Sequence, residues 1–283
     1  MAGGQPPVWR RRFAAKLIEH REQAGKSPEE AAERIGCHRT KINRIENARL
    51  GISLGELRDL LTFYEVDDPA EVDDMVELAR RRREPDWVRR AALVRPSITD
   101  LIHYEETANR IRVFQGNVIT GLLQTADYAR AVLSVQPTNL GEQGIEALLE
   151  ARMKRQEILD RANPPRLYVI EDEGVLRVHV GGRQTMRNQL DHLQAMADHP
   201  AVELRVIPDR AGAHVGQSGS FTLFGFPKLS YPDVVSVEHR TGILYMDSHE
   251  DTAEHELIFE TLKSISLSPK ASLDLIAQAR QSL

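Results

Sequence analysis

Residues 39 to 46 read Arg-Thr-Lys-Ile-Asn-Arg-Ile-Glu. Five of these side chains, Arg39, Thr40, Lys41, Asn43 and Arg44, carry donors that can reach the edge of a base. Arg pairs bidentately with guanine and Asn with adenine. Lys meets guanine acceptors or a phosphate, and Thr serves either base. On a helix, Ile42 and Ile45 point to the core and the five donors point away from it. Lys26 and Ser27, at the start of the preceding helix, could hold a phosphate on a helix N-terminus, and Arg49 is a further phosphate contact. Taken singly, each charge is more readily a solvated surface residue. Taken together, they point to double-stranded DNA.

Such a stripe needs rigid elements beneath it. Ser27-Pro28-Glu29-Glu30 reads as an N-cap, Pro at the first helical position and the Glu of a capping box. Ala31, Ala32 and Ile35 follow, and Gly36 stops that helix. A tight turn, Ile35-Gly36-Cys37-His38, leads to a short helix from about Arg39 to Asn47, with His38 near its cap. Upstream, Phe13, Leu17 and Ile18 recur at helical spacing before Gly25. Downstream, Ser53 with Glu56 makes a second capping box ahead of Leu54, Leu57, Leu60 and Leu61. Asp68-Pro69-Ala70-Glu71 makes a third, opening a helix through Val72, Met75, Val76 and Leu78 to the run Arg80–Arg83. The expectation is an all-α five-helix domain over 1–84, laid out as a helix-turn-helix whose second helix enters the major groove. Pro85 and Pro96 break the pattern, so 85–97 is read as a linker, with Trp87 as an anchor to either side.

The charge distribution agrees with one end meeting a polyanion. The 283 residues carry a net charge of −5. Residues 1–58 hold twelve Lys and Arg against seven Asp and Glu, a net of +5, whereas 96–283 are acidic at −7. From charge alone, a solvated helical face explains this equally well. At 41% hydrophobic and 28% charged residues, the composition is that of a globular protein and excludes a disordered chain. One cysteine, Cys37, excludes a disulfide scaffold and a cysteine-based zinc site. No apolar run approaches about 18 residues, and no apolar core follows the N-terminal arginines, so neither a membrane span nor a signal peptide is expected. The expected location is the cytoplasm.

From about residue 98 to 283 the pattern is mixed. Helical spacing covers about 98–109, 125–134, 142–161, 183–198, 249–266 and 269–281. Strand-like runs are Arg110–Gln115, Leu167–Ile170, Val202–Ile207, Phe221–Phe226, Val234–Glu238 and Ile243–Met246. The fold class is α+β: an all-α helix-turn-helix domain, then a mixed α+β domain whose strand order the pattern leaves open.

Ala31-Ala32-Glu33-Arg34-Ile35-Gly36, followed by Lys41-Ile42-Asn43-Arg44-Ile45-Glu46-Asn47, resembles the Xre/Cro-type helix-turn-helix family. That resemblance implies a five-helix DNA-binding fold over about residues 10–66. The family usually has a small hydroxyl residue where His38 stands, and often Gly where Ala48 stands. The rest of the chain is similar to the sensor-like domain of actinobacterial WhiJ-like regulators. The similarity runs through Gly121-Leu122-Leu123-Gln124-Thr125-Ala126-Asp127-Tyr128-Ala129-Arg130, Arg155-Gln156-Glu157-Ile158-Leu159, Gly181-Gly182 and Gln189-Leu190-Asp191-His192-Leu193. It continues through Ala211-Gly212-Ala213-His214, Gly219-Ser220-Phe221-Thr222-Leu223 and Thr241-Gly242-Ile243-Leu244-Tyr245. It implies a transcription regulator, often paired with a small companion protein and sometimes described as antitoxin-like.

The residues of catalysis are not assembled in any recognisable pattern. His-Glu-x-x-His, the phosphate-binding loop and the dinucleotide fingerprint are all missing. Glu171-Asp172-Glu173 could bind a cation but also suits a polar turn. Gly181-Gly182-Arg183 could cradle an anion but is a short and common pattern. No enzyme, cofactor or metal is therefore expected. The loop Asp209–Ser220 is the best candidate for a small ligand or a partner, through Gly212, His214, Gly216, Gln217 and Ser218, although a plain hairpin connection fits it too. The expectation is a sequence-specific DNA-binding regulator, a homodimer on a palindromic operator, with activity modulated through residues 98–283. The other reading is an antitoxin-like interaction module that binds a small companion protein, with DNA binding secondary.

Overall fold

The computed structural model describes residues 8–80, 84–135, 141–226, 232–240 and 242–283. The chain forms two compact units, Met1–Arg89 and Arg90–Leu283. The first holds α1 (Val8–Gln23), α2 (Pro28–Arg34), α3 (Arg39–Glu46), α4 (Leu54–Phe63) and α5 (Pro69–Arg80). The stretch 85–97, read from sequence as a linker, carries a further helix, α6 (Asp86–Val94), and the division of the chain falls within it. Both prolines are compatible with that helix, because Pro85 precedes its first turn and Pro96 follows its last. Arg81, Arg82 and Arg83 lie outside the described residues.

The helix starts follow the sequence chemistry. Ser27 and Ser53 each accept the N–H of the Glu three residues on, and Glu30 and Glu56 each accept the cap residue's own N–H. The third box is half made. Asp68 accepts the Ala70 N–H at 2.9 Å, but Glu71 reaches across to Lys16 and His20 instead. Four helices end in one geometry. After α1, α2, α3 and α4, the residues Gly25, Gly36, Ala48 and Glu65 adopt φ near +60°. At each end two backbone bonds close the last turn; after α4 they are Glu65 N–H to Thr62 O and Val66 N–H to Leu61 O. Two of these four left-handed positions lack glycine. Glu65 is exposed, so Glu65→Gly is expected to raise unfolding stability by up to about 1 kcal/mol, read from urea or thermal unfolding. Ala48 is buried, so its methyl group offsets the same strain.

The core of this unit comes from every helix: Phe13 and Leu17, Ala31, Ile42 and Ile45, Leu57, Leu60 and Leu61, and Met75 are buried. Each large apolar side chain contributes roughly 1.5–3 kcal/mol by leaving water. Ile42 and Ile45 therefore fix the rotation of α3 about its own axis.

The second unit holds α7 (Ile98–Thr107), β1 (Arg110–Gln115), α8 (Ala126–Ser134), α9 (Gly141–Gln156), β2 (Arg166–Asp172), α10 (Arg183–Ala197), β3 (Val202–Ile207), β4 (Phe221–Gly225), β5 (Val234–His239), β6 (Gly242–Met246), α11 (His249–Ile265) and α12 (Pro269–Gln281). The six strands form one sheet in the order β3-β2-β1-β4-β5-β6. The first three are parallel, with Val113 opposite Val169 and Val169 opposite Leu204. β4, β5 and β6 run as an antiparallel meander joined to β1. One face packs Phe114, Ile170, Phe221, Leu223 and Val235 against Phe259 and Leu262 of α11. Arg112 adds a bond to Glu256 at 2.6 Å. On the other face Tyr104 of α7 stacks on Phe224 at 5.5 Å and meets Tyr245 at 5.0 Å. Tyr245 and Phe259 therefore sit on opposite faces. Tyr231 and Thr241 lie outside the described residues.

The segments behind the WhiJ-like resemblance largely serve this architecture. Residues 116–125 cross the sheet end with little regular structure, so their backbone groups need partners. Thr120 N–H donates to Glu171, Thr125 N–H donates to Gln189, and Gln189 donates back to Leu123 O. Gln124 donates to Ile119 O, and Gln156 donates to Gly121 O and Gln124 O. Arg155 makes a buried bidentate pair with Glu105 at 2.6 Å for both bonds.

Candidate nucleic-acid interface

The eight residues of α3 span about 12 Å at 1.5 Å each, close to the width of the major groove. Ile42 and Ile45 are buried beneath them. Arg39, Thr40 and Arg44 are exposed, and Asn43 is half-buried beside them on the same stripe. The turn before α3 is held by Cys37 N–H on Ala32 O at 2.9 Å and Gly36 N–H on Glu33 O at 3.1 Å. His38 takes the N-cap position usually filled by a hydroxyl. Its Nδ1 accepts the Thr40 N–H at 3.2 Å and lies 2.8 Å from the Thr40 hydroxyl. Partial burial pushes the Cys37 thiol above its usual range.

The donors divide into engaged and free. The Arg39 guanidinium lies 2.7 Å from Glu29 of α2, and both side chains are exposed. Lys41 pairs with Glu56, the carboxylate of the second capping box, and so ties α3 to α4. That bond holds the Glu56 carboxyl below its usual range. Lys26 places its ammonium 4.8 Å over the Phe63 ring. The Ser27 hydroxyl is occupied within its own capping box, donating to Glu30 at 2.8 Å. Asn43, Arg44 and Arg49 have no side-chain partner among the described residues. The geometry thus brings Arg39, Thr40, Asn43 and Arg44 onto one face of α3. It gives Lys41, Lys26 and Ser27 contacts inside the unit.

Three acidic partners escaped the sequence reading. Glu29 holds Arg39 in the free protein. A single exposed pair is worth about 0.2–1 kcal/mol. Glu29→Gln is therefore expected to tighten binding to any duplex by up to about five-fold, measured against operator and random DNA alike. Glu56 is described above. Glu46 accepts Arg21 Nε at 2.7 Å and Nη2 at 3.3 Å, while Arg21 Nη1 donates to Lys26 O at 2.9 Å. This nearly buried fork clamps α3 to α1. Glu46→Ala leaves the guanidinium without its partner and is expected to cost about 2 kcal/mol of stability, measured by urea unfolding of the N-terminal unit. The pair is separated by 25 residues, and no local pattern announces it.

In the second unit, the loop 209–220 is not a hairpin. It leaves β3 at one edge and enters β4 on the far side of β2 and β1, so it crosses the ends of those two strands. His214 is buried there with its Nε2 3.2 Å from Asp172, and its ring meets Phe114 edge-on. Gly216 lies so close that a Cβ would stand 2.4 Å from the Phe114 ring. Gly212 has φ +72°, and Gln217 and Ser218 are exposed. The three acids considered as a cation site diverge. Glu171 meets Thr120, Asp172 meets His214 and the Gly174 N–H, and Glu173 meets the Asp209 N–H. Gly181 has φ +70°, and a Cβ there would also crowd Thr185 at 2.9 Å and Ala131 at 3.1 Å, so its glycine has a backbone reason.

Comparison with known proteins follows the same division. A helix-turn-helix domain model matches residues 12–75. A model described as a domain of unknown function, DUF5753, matches residues 98–278, well over half of the chain. The chain belongs to the DUF5753 family. Its N-terminal unit carries the helix-turn-helix of DNA-binding regulators. Neither curated proteins nor solved structures give a match. Among the described residues, no helix is long and apolar enough to cross a membrane.

Proposed function

We propose that this DUF5753 protein is a sequence-specific transcription regulator that reads DNA with α3. The observation that carries the reading is the unpartnered pair Asn43 and Arg44 on the solvent side of the second helix of a helix-turn-helix. Asn43 and Arg44 read base edges, and Arg39 joins them once it leaves Glu29. Arg49, just past the end of α3, meets a phosphate, as do Lys26 and the α2 N-terminus in a closer approach. Lys41 contributes its positive charge while it holds α4.

The protein acts as a homodimer in the cytoplasm, so two α3 helices meet half-sites about 34 Å apart. The C-terminal unit modulates this activity. Its entry point for a small ligand or companion protein is the loop over the ends of β1 and β2, where Val215, Gln217 and Ser218 face solvent. Footprinting on DNA flanking its own gene tests the reading. It should show two protected half-sites one helical turn apart; protection without sequence preference would contradict it.

A further inference from the structure

The two edges of the sheet are finished differently. At β3, Leu267 donates its N–H to Val206 O at 2.8 Å, and the Val206 N–H donates to Ser272 Oγ at 2.9 Å, so the start of α12 closes that edge. At β6, no described residue bonds the backbone groups that alternate residues of Ile243–Met246 turn away from β5. Among the described residues, only Arg95 approaches, at 3.5 Å from Gly242 O. Gly242-Ile243-Leu244-Tyr245-Met246 contains no charge and no proline, the usual guards of an open edge. Leu244, at its centre, is 52% exposed. Leu93, two residues before the Arg95 that reaches this strand, is 87% exposed.

We infer that β6 pairs antiparallel with β6 of a second copy, about a two-fold axis through Leu244. The two six-stranded sheets then become one of twelve. Charge selects this occupant and this direction. At the Gly242 end of the strand Arg95 is held by Glu238 at 3.1 Å, which leaves Arg240, exposed and with no ion-pair partner among the described residues, as the free cation. The Met246 end is followed by Asp247, Glu250 and Asp251. Antiparallel self-pairing sets the basic end of each copy against the acidic end of the other, whereas parallel pairing would set like against like. It also lets the same backbone groups serve both copies, as a closed two-fold contact requires. Ile243 then faces the partner's Tyr245, and Gly242 faces the partner's Met246. The pairing supplies the two-fold axis that palindrome recognition calls for, yet it is measured without DNA and stands or falls separately.

The test is sedimentation of the full chain at micromolar concentration. The expected mass is twice 31.9 kDa. Leu244→Lys should give monomers with an unchanged circular dichroism spectrum, while Leu257→Lys, at an exposed position on α11, should leave the dimer intact. Arg240→Glu should weaken the dimer at least ten-fold, and adding Asp247→Arg should restore it. In a Cys37→Ser background, Leu244→Cys should form an inter-subunit disulfide on mild oxidation. Directly opposed antiparallel residues lie about 4.5–5.5 Å apart at Cα, within disulfide reach. A monomeric wild type overturns the proposal, as does a dimer that survives Leu244→Lys or fails to cross-link through Leu244→Cys.

Discussion

The double substitution Asn43→Ala and Arg44→Ala is expected to remove the preference for operator over random DNA while leaving the fold intact. Neither side chain has a hydrogen-bond or ion-pair partner among the described residues, and Ile42 and Ile45 carry the packing of α3, so their loss costs little stability. Each bidentate base pairing is worth about 1–3 kcal/mol of discrimination. Losing two that lie on adjacent positions should lower specific affinity by about 30-fold or more. The two residues should also be separable. Asn43→Ala should leave the salt dependence of binding unchanged, because an amide displaces no counterion, whereas Arg49→Ala should reduce the salt slope by about one. Fluorescence anisotropy against operator and scrambled duplexes over a salt series reads all three. A double variant that keeps its discrimination would move the reading surface away from α3.

Glu171→Gln is expected to stabilise the C-terminal unit, increasingly so as pH rises. Glu171 is fully buried. One oxygen accepts the Thr120 N–H at 2.9 Å, and the other has no partner. Burial pushes this carboxyl well above its usual range; the Thr120 bond opposes the shift, and the neighbouring Asp172 adds to it. In the folded protein Glu171 therefore keeps its proton at pH values where the unfolded chain, at about 4.3, has released it. Its contribution to stability is full below that value and is lost as pH rises toward the folded pKa. The loss is about 1.4 kcal/mol for each pH unit in that window. A neutral amide keeps the acceptor for Thr120 and has no proton to lose. The difference in unfolding free energy between Glu171→Gln and wild type should thus grow with pH at this slope and level off above the folded pKa. Comparing the two proteins cancels the opposite trend from carboxylates held low, such as Glu238 and Glu256. A difference independent of pH between 5 and 8 would mean that Glu171 ionises normally.

Local chemistry was legible wherever one segment decides its own structure. All six strand runs and the capping boxes at Ser27 and Ser53 could be read from residue type and spacing, because period and cap are short-range properties. The prolines at 85 and 96 looked like the ends of a linker; they bracket α6, because proline tolerates the start of a helix and follows its end. The sheet order was beyond reach, since the loop 209–220 crosses two strands and gives no local sign of the distance it spans. At the interface, the stripe on α3 was legible from its two buried isoleucines. Which donors are free was not: Lys41 is held by a residue 15 positions away and Arg39 by one ten positions before it. His38 shows how an unusual residue can keep the geometry, because its ring nitrogen supplies the acceptor that a hydroxyl would.

Titration of the full-length protein against DNA from its own gene neighbourhood, over a salt series and with excess random competitor, tests the central claim most directly. Saturable binding that survives the competitor is the predicted result, with a salt slope that counts the phosphates engaged. Binding that the competitor abolishes at every salt concentration would contradict it.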